Sequence, residues 1–127
     1  MQIHQSAEDY LETILMLNQR MGRVRSIDVV NELGYTKASV SIAMKKLREN
    51  GYIAVDGEGN LTLLEPGREI AERIYSRHRL LTHFFVQLGV DEEVAAEDAC
   101  KAEHILSEQT LEKIREYALL HDAQDSV

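Results

Sequence analysis

The segment that decides the fold is SIDVVNELGYTKASVSIAMKKLREN, residues 26–50. Apolar residues recur in it at helical spacing on both sides of Gly34, a residue suited to the left-handed conformation in which helices commonly end. Thr36 stands where an N-cap side chain would accept from the first backbone donors of a second helix. We therefore predict a short helix over residues 27–33, a tight turn, and a second helix to about Asn50, which together form a helix-turn-helix.

The flanking sequence extends this motif to a winged helix-turn-helix. Apolar periodicity predicts a preceding helix over about residues 6–20. Two β-prone runs, 52–55 and 61–64, enclose a turn rich in Asp, Gly and Asn, which predicts a hairpin. Because helix, helix, turn, helix and hairpin follow in this order, we assign residues 1–65 to a winged helix-turn-helix domain.

Three more helices are predicted in the second half of the chain. Pro66 suits the first turn of a long helix, and Asp91 and Ser107 are the expected N-caps of two others. These helices span about residues 66–88, 91–106 and 107–121. The fold class is therefore mainly α, and residues 66–127 form a second, helical domain.

Composition excludes several classes of protein. Hydrophobic residues make up 44% of the 127 residues and charged residues 28%, a globular and not a disordered composition. No apolar run approaches the roughly 18 residues of a membrane span, and the N-terminus lacks a secretory signal pattern. The single cysteine, Cys100, excludes an intramolecular disulfide and fits a reducing compartment. We therefore expect a cytoplasmic protein.

Charge is distributed unevenly along the chain. The formal net charge is -8, which by itself argues against nucleic acid as a partner. Residues 20–48, however, contain seven basic residues against two acidic ones. A local basic patch on an acidic protein is compatible with phosphate binding, because the field near the contact matters more than the total. A solvated surface of mixed charge is the alternative.

The second helix of the motif is the predicted DNA-reading element, because such a helix enters the major groove. Val40, Ala43, Met44 and Leu47 share one face and should pack inward. The opposite face and the preceding arginines give the candidate DNA-binding residues: Arg23, Arg25, Thr36, Lys37, Ser39, Ser41, Ile42, Lys45 and Lys46. A helix-turn-helix also occurs as a packing unit in proteins that do not touch DNA.

Individual DNA contacts can be assigned from side-chain chemistry. Arg23 and Arg25 are candidates for phosphate contacts, with exposed surface arginines as the alternative. Ile42 is a large apolar residue on the exposed face, so it is either a contact to a thymine methyl group or an ordinary exposed isoleucine. The hairpin tip carries Asp56 and Glu58 and no basic residue, so we expect the wing to contribute little affinity.

Side chains of metal-ligand type are spaced at helical intervals. Cys100, Glu103 and His104 stand at i, i+3 and i+4, so one side of a helix would present thiolate, carboxylate and imidazole. This mixture suits a late first-row divalent ion better than Ca²⁺ or Mg²⁺. Asp9 and Glu12 share a side of the first helix in the same way. A small core cysteine and a solvated Glu-His pair are the alternative interpretation.

Longer stretches resemble a known family. They are AEDYLE (7–12), the helix of residues 36–50, Leu61-Thr62 through Pro66-Gly67-Arg68, RHRLL (77–81) and ACKAEHILS (99–107). Together they resemble the diphtheria-toxin-repressor and manganese-transport-regulator family of metal-dependent transcriptional repressors. The resemblance implies a DNA-binding winged helix-turn-helix followed by a helical metal-binding and dimerisation domain. It also implies the metal ligands Asp9, Glu12, His78, Cys100, Glu103 and His104.

The resemblance leaves the identity of the metal open. Asp9 and Glu12 follow the manganese-responsive branch, whereas Cys100 follows the iron-responsive branch. We therefore expect Mn²⁺ or Fe²⁺, with Zn²⁺, Co²⁺, Ni²⁺ or Cd²⁺ able to substitute in vitro. Thr82 and Ala96 replace ancillary ligands of iron regulators, so a second site of that kind is expected to be missing. Because the sequence ends at Val127, we also expect no SH3-like third domain of the kind found in the iron branch.

The function implied by the resemblance is regulation and not catalysis. A homodimer would bind double-stranded operator DNA and repress genes of metal homeostasis, with no membrane and no small organic substrate as partners. We expect the apolar faces of the second-domain helices to bury the dimer interface or an intramolecular core: Ile70, Ile74, Leu81, Phe85, Val94, Ala95, Ala99, Ala102 and Leu106. Two alternatives are a metal-independent winged-helix regulator that senses a small ligand or redox state through Cys100, and a di-metal carboxylate enzyme.

Overall fold

The computed structural model describes residues 5–125, with side chains through Asp122. The described residues form six helices and two strands: α1 (Gln5–Met21), α2 (Ser26–Leu33), α3 (Lys37–Glu49), β1 (Ile53–Val55), β2 (Leu61–Leu63), α4 (Glu65–Gln87), α5 (Glu92–Ala102) and α6 (Glu108–Asp125). They divide into two compact units, the first ending at Arg73 and the second beginning at Ile74. The mainly α class and the element order are confirmed.

The first unit is the helix-turn-helix with its supporting helix and wing. Gly34 is the C-cap of α2, with a φ of 72°, and it donates its N–H to Val30 O at 2.8 Å. Thr36 Oγ1 accepts from Ser39 N at 3.1 Å and thereby caps α3. The core is formed by side chains from α1, α2, α3 and both strands: Leu11, Ile14, Leu17, Val29, Val40, Met44, Leu47, Ile53, Leu61 and Leu63. The inward face predicted for α3 is thus confirmed.

The wing is a two-stranded antiparallel sheet in which Ile53 pairs with Leu63. Its turn is built by Asp56, whose carboxylate accepts from the backbone N–H groups of Glu58 and Asn60, both at 2.9 Å. Hydrogen bonds from Asn60 are the main reason why the pKa of Asp56 lies below its usual range. Gly59 completes the turn with a φ of 84°. The carboxylate of Asp56 therefore stabilises the turn through the hydrogen bonds that it accepts.

The beginning of α4 packs in the first unit. A Cβ placed on Gly67 would lie 2.2 Å from the carbonyl oxygen of Tyr52, so glycine is required for this close approach to the end of the hairpin. Arg73, further along the same helix, forms an ion pair with Glu8 of α1 at 3.4 Å. The division between the two compact units therefore lies inside α4, between Arg73 and Ile74, and the domain boundary at residue 65 stays a prediction.

The second unit contains the rest of α4 together with α5 and α6. Leu81, Ala99 and Leu111 form its buried centre, against which Phe85, Ala102 and Leu106 pack with other apolar residues. Several residues considered for a dimer interface are therefore buried inside the subunit: Ile74, Leu81, Ala95 and Ala99 are all 0% exposed. The intramolecular alternative is correct for these residues, whereas Val94 is 47% exposed.

Candidate metal centre

The segment after α5 departs from the predicted helix. α5 ends at Ala102, and Glu103 is its C-cap, so Glu103 and His104 lie in a turn and the expected helix end near Leu106 was wrong. The turn keeps helical geometry for one residue, because Glu103 has φ -59° and ψ -23° and donates its N–H to Ala99 O at 3.0 Å. This geometry keeps Glu103 on the same side as Cys100.

Three ligand-type side chains from α4, α5 and this turn meet in the second unit. His78 Nδ1 lies 3.0 Å from Glu103 Oε2 and 3.8 Å from Cys100 Sγ. The imidazole nitrogen, thiol sulfur and carboxylate oxygen all lie within 4.8 Å of one another. A nitrogen, sulfur and oxygen donor set is typical of sites for late first-row divalent ions and unlike a Ca²⁺ or Mg²⁺ site.

Burial of Glu103 provides a test of whether a cation fits here. The side chain is 0% exposed, and its Oε1 atom has no hydrogen-bond partner in the described part of the chain. Burying a carboxylate oxygen without a partner is costly, and a coordinated cation would remove that cost. His104 Nε2 lies 3.4 Å from the same oxygen, and the His104 side chain is 1% exposed. The residues therefore fit a divalent metal ion.

The electrostatics of the cluster favour positive charge. Hydrogen bonding to Cys100 first, and to Glu103 second, raises the pKa of His78 from 6.5 to about 10, although burial acts in the opposite direction. Without metal, the imidazole is therefore protonated at neutral pH. Because a metal ligand must be neutral imidazole, metal binding would exchange this proton for a divalent cation.

The predicted DNA-reading face of α3 is exposed. Ile42 is 58% exposed. Lys45 is also on the surface, where it lies 4.0 Å from Glu49. The remaining candidates on or beside this helix are exposed as well: Thr36, Lys37, Ser39, Ser41 and Lys46. Small hydroxyls at the N-terminus of α3 and lysines further along match what phosphate and base-edge contacts require, but their contacts with DNA stay a prediction.

The two arginines before α2 differ in their surroundings. Arg25 donates from its guanidinium to the carbonyl oxygen of Glu58, and its backbone pairs with Asn60, so it ties the start of α2 to the wing tip. Arg23 is highly exposed and lies 4.0 Å from the carboxylate of Glu58. Arg23 is therefore available for a phosphate contact, whereas Arg25 already has a structural role that its sequence position gave no sign of.

Comparison with known proteins identifies the family. Residues 2–61 match the N-terminal DNA binding domain of the iron dependent repressors, and residues 64–120 match their metal binding and dimerisation domain. The chain belongs to the iron-dependent repressor family.

Individual members of the iron-dependent repressor family are similar over most of the chain. The transcriptional regulator MntR of Bacillus subtilis is 32% identical over 121 residues, which cover 95% of this chain and 85% of that protein. An uncharacterised HTH-type transcriptional regulator of Methanocaldococcus jannaschii is 36% identical over 113 residues, covering 87% of this chain and 90% of that protein. The family is one of metal-dependent transcriptional regulators, so the main interpretation of the sequence is favoured over the metal-independent one.

Solved structures of family members share the fold. A manganese-dependent transcriptional repressor in complex with manganese matches with a TM-score of 0.81 and 28% identity, over 88% of this chain and 52% of that chain. IdeR of T. acidophilum matches with a TM-score of 0.80 over 92% of this chain and 55% of that chain, at 23% identity. The chain therefore spans about half the length of these two structures.

The sequence also predicts two ligands on the first helix of this family member, Asp9 and Glu12. Asp9 and Glu12 stand on α1 in the first unit, where Glu12 is only 6% exposed, and their role as ligands stays a prediction. Thr82 uses its hydroxyl to donate to the carbonyl oxygen of His78 at 2.8 Å.

No helix in residues 5–125 is long and apolar enough to cross a membrane.

Proposed function

We propose that this family member is a metal-activated repressor, in which Mn²⁺ or Fe²⁺ enables a cytoplasmic homodimer to bind double-stranded operator DNA. The observation that carries the proposal is the convergence of His78, Cys100 and Glu103 from three separate elements, with a buried carboxylate oxygen that lacks a hydrogen bond. Structural packing alone gives no reason to bury such an oxygen beside a thiol and an imidazole. A bound cation would explain the burial, because it would coordinate this oxygen.

The donor set is compatible with both Mn²⁺ and Fe²⁺. His78, Cys100 and Glu103 would hold a divalent ion, with His104 as a further proposed ligand, and the ion would supply a concentrated positive charge. The Cys100 thiolate is a soft ligand, which favours Fe²⁺ over Mn²⁺ at this position, whereas carboxylates suit Mn²⁺. Zn²⁺, Co²⁺, Ni²⁺ and Cd²⁺ should also bind in vitro, because affinity order alone does not select the earlier metals.

Two further ligands are proposed from the first unit, Asp9 and Glu12. Their spacing places both carboxylates on one side of α1, and Glu12 is buried although it carries an ionisable group. α1 packs against α2 and α3, so a ligand held at α1 acts directly on the DNA-reading unit. These two carboxylates would thereby make the position of the reading unit depend on the metal.

The proposed consequence for DNA binding is geometric. In a two-fold dimer the two α3 helices must reach successive major grooves about 34–36 Å apart. Ligands from both units would hold this separation in the metal-bound protein, and without metal other separations would be populated. An almost complete switch requires the metal to favour the DNA-competent state by about 5.5 kcal/mol. Because the coupling is reciprocal, operator DNA should tighten metal binding by the same factor.

The experiment begins by selecting bound sequences from a random duplex library in the presence of Mn²⁺. Fluorescence anisotropy with the selected duplex then compares Mn²⁺, anaerobic Fe²⁺ and EDTA. We expect tight binding only with metal, and loss of metal stimulation in Asp9→Ala and in His104→Ala, both as folded dimers. Equal binding in EDTA would refute the proposal. A response to the thiol oxidant diamide in EDTA, without a response to metal, would instead favour redox sensing through Cys100.

A further inference from the structure

Arg77 is a partly buried residue beside the metal cluster that the proposed function does not use. It precedes His78 on α4, and its side chain is 15% exposed. Its Nη1 atom donates to the carbonyl oxygen of Glu103 at 3.2 Å, and its Nη2 atom donates to the carboxylate of Glu108 at the start of α6. One guanidinium therefore bonds to both ends of the turn that contains Glu103 and His104.

The turn depends on such bonds because it is not part of a helix. The last carbonyl groups of a helix have no partner within it, and the carbonyl of Glu103 follows the end of α5. Arg77 supplies that partner from a different helix. A guanidinium is planar and presents its donors in a fixed fork, so it sets both the distance and the orientation of the segment that it holds.

Arg77 does not stabilise a bound metal ion through its charge, because both are positive. A cation next to a metal site repels the metal, so an arginine is unfavourable here unless its charge is balanced. Glu108 balances it through the ion pair. What remains is the geometric effect, which fixes the backbone of Glu103 relative to α4, the helix that carries His78.

We propose that Arg77 is a positioning residue of the metal centre. It holds the turn so that the carboxylate of Glu103 stays within ligand distance of His78 and Cys100. This inference rests on the proposed function, because it requires that the cluster binds a divalent metal. It concerns a residue that donates no ligand atom and acts only through the residues that do.

The test is a titration of the full chain with Co²⁺, followed by absorption spectroscopy. A near-ultraviolet charge-transfer band reports the bond between Cys100 and cobalt, and the visible bands report the coordination geometry. Residues that orient metal ligands typically contribute about 10- to 100-fold to affinity. We expect Arg77→Lys to weaken Co²⁺ binding about 10-fold or more and to shift the visible bands, since lysine lacks the fork. Glu108→Gln should show a smaller loss in the same direction.

Controls separate positioning from general stability. Arg115→Lys alters an exposed pair with Glu112 on α6 and should keep the wild-type affinity and spectrum. Circular dichroism and the melting temperature of the metal-free proteins should be close to wild type for Arg77→Lys. If that variant loses helical content, Glu108→Gln decides the question, because Glu108 is 79% exposed and its replacement leaves the core intact.

The outcomes distinguish the two proposals. Wild-type protein that shows neither the charge-transfer band nor the visible bands of bound cobalt would overturn the proposed metal function and this inference with it. Wild-type binding with unchanged affinity and spectrum in both Arg77→Lys and Glu108→Gln would overturn the positioning role alone. Weaker binding and a shifted spectrum in a folded variant would support it.

Discussion

Tyr10 of α1 packs edge-to-face against Tyr35, with ring centroids 5.9 Å apart and an angle of 77° between the rings. Tyr10 follows Asp9, one of the proposed ligands, and Tyr35 precedes Thr36, the N-cap of α3. Tyr10 is 7% exposed, and burial is the main reason why its pKa lies above its usual range. The contact therefore joins the helix that carries proposed ligands to the residue just before the N-cap of the DNA-reading helix.

This contact should transmit metal binding to DNA binding. Edge-to-face pairs contribute about 0.5–1.5 kcal/mol beyond their buried area, so Tyr35→Ala should reduce operator affinity in Mn²⁺ by about 2- to 10-fold. Metal affinity, measured by Co²⁺ titration without DNA, should stay at the wild-type value. Tyr35→Phe keeps the ring and should behave as wild type. A loss in Tyr35→Phe as large as that in Tyr35→Ala would instead indicate that the phenol hydroxyl contacts DNA.

Gly67 is a position where alanine should destabilise a helix. Gly→Ala inside a helix ordinarily stabilises it by about 1 kcal/mol. Here the new Cβ would lie 2.2 Å from the carbonyl oxygen of Tyr52 and 3.3 Å from Leu11 Cδ2, and a backbone carbonyl cannot turn aside. We expect Gly67→Ala to lower the free energy of unfolding by about 1–3 kcal/mol, measured by urea denaturation of the metal-free protein. Glu69→Ala, on the exposed side of α4, is the control, and greater stability in Gly67→Ala would contradict the packing.

Local signals in the sequence predicted most of the fold. Gly34, Thr36 and Ser107 are found where they were expected, with Gly34 left-handed and the two hydroxyls accepting from backbone N–H groups. Each of these features depends on contacts within four residues, so the sequence contains all the information that is needed. The end of α5 is different, because the turn at Glu103 is held by Arg77 from another helix. A rule based on residue spacing along one helix cannot predict a hydrogen bond between two different helices.

The candidate site was only partly predictable for the same reason. Helical spacing indicated Cys100, Glu103 and His104, but His78 lies 22 residues from Cys100 in the chain, and no spacing rule places these two residues side by side. The bond between Arg25 and Glu58 spans 33 residues and likewise had no sequence signal. Periodicity also could not separate a subunit core from a dimer interface, because both require the same apolar face; Leu81 and Ala99 belong to the core.

Metal affinity should rise with pH. The pKa of His78 is raised to about 10 in the metal-free protein, mainly by its hydrogen bond with Cys100, so below that pH each bound metal ion must displace a proton from this imidazole. One displaced proton makes affinity increase about 10-fold per pH unit, and the increase from His78 should cease near pH 10. Titration with Co²⁺ at several pH values measures this slope. His78→Asn should bind more weakly and with a slope about one proton smaller; an unchanged slope would show that His78 is not deprotonated on binding.

Ile42 and Lys46 should affect DNA binding in different ways. Ile42 is 58% exposed, so Ile42→Ala should leave the free energy of unfolding nearly unchanged. A lost contact to a thymine methyl group, at about 0.8 kcal/mol per buried CH₂, should lower operator affinity about 5- to 20-fold and leave affinity for unrelated duplex unchanged. Lys46→Ala should weaken binding to both duplexes and reduce the slope of log K against log salt by about 0.9, because one phosphate contact is lost. Lys113→Ala, an exposed lysine of α6 in the second unit, is the matched control and should leave both affinities and the slope unchanged. An equal loss on both duplexes for Ile42→Ala would mean that this side chain does not read sequence.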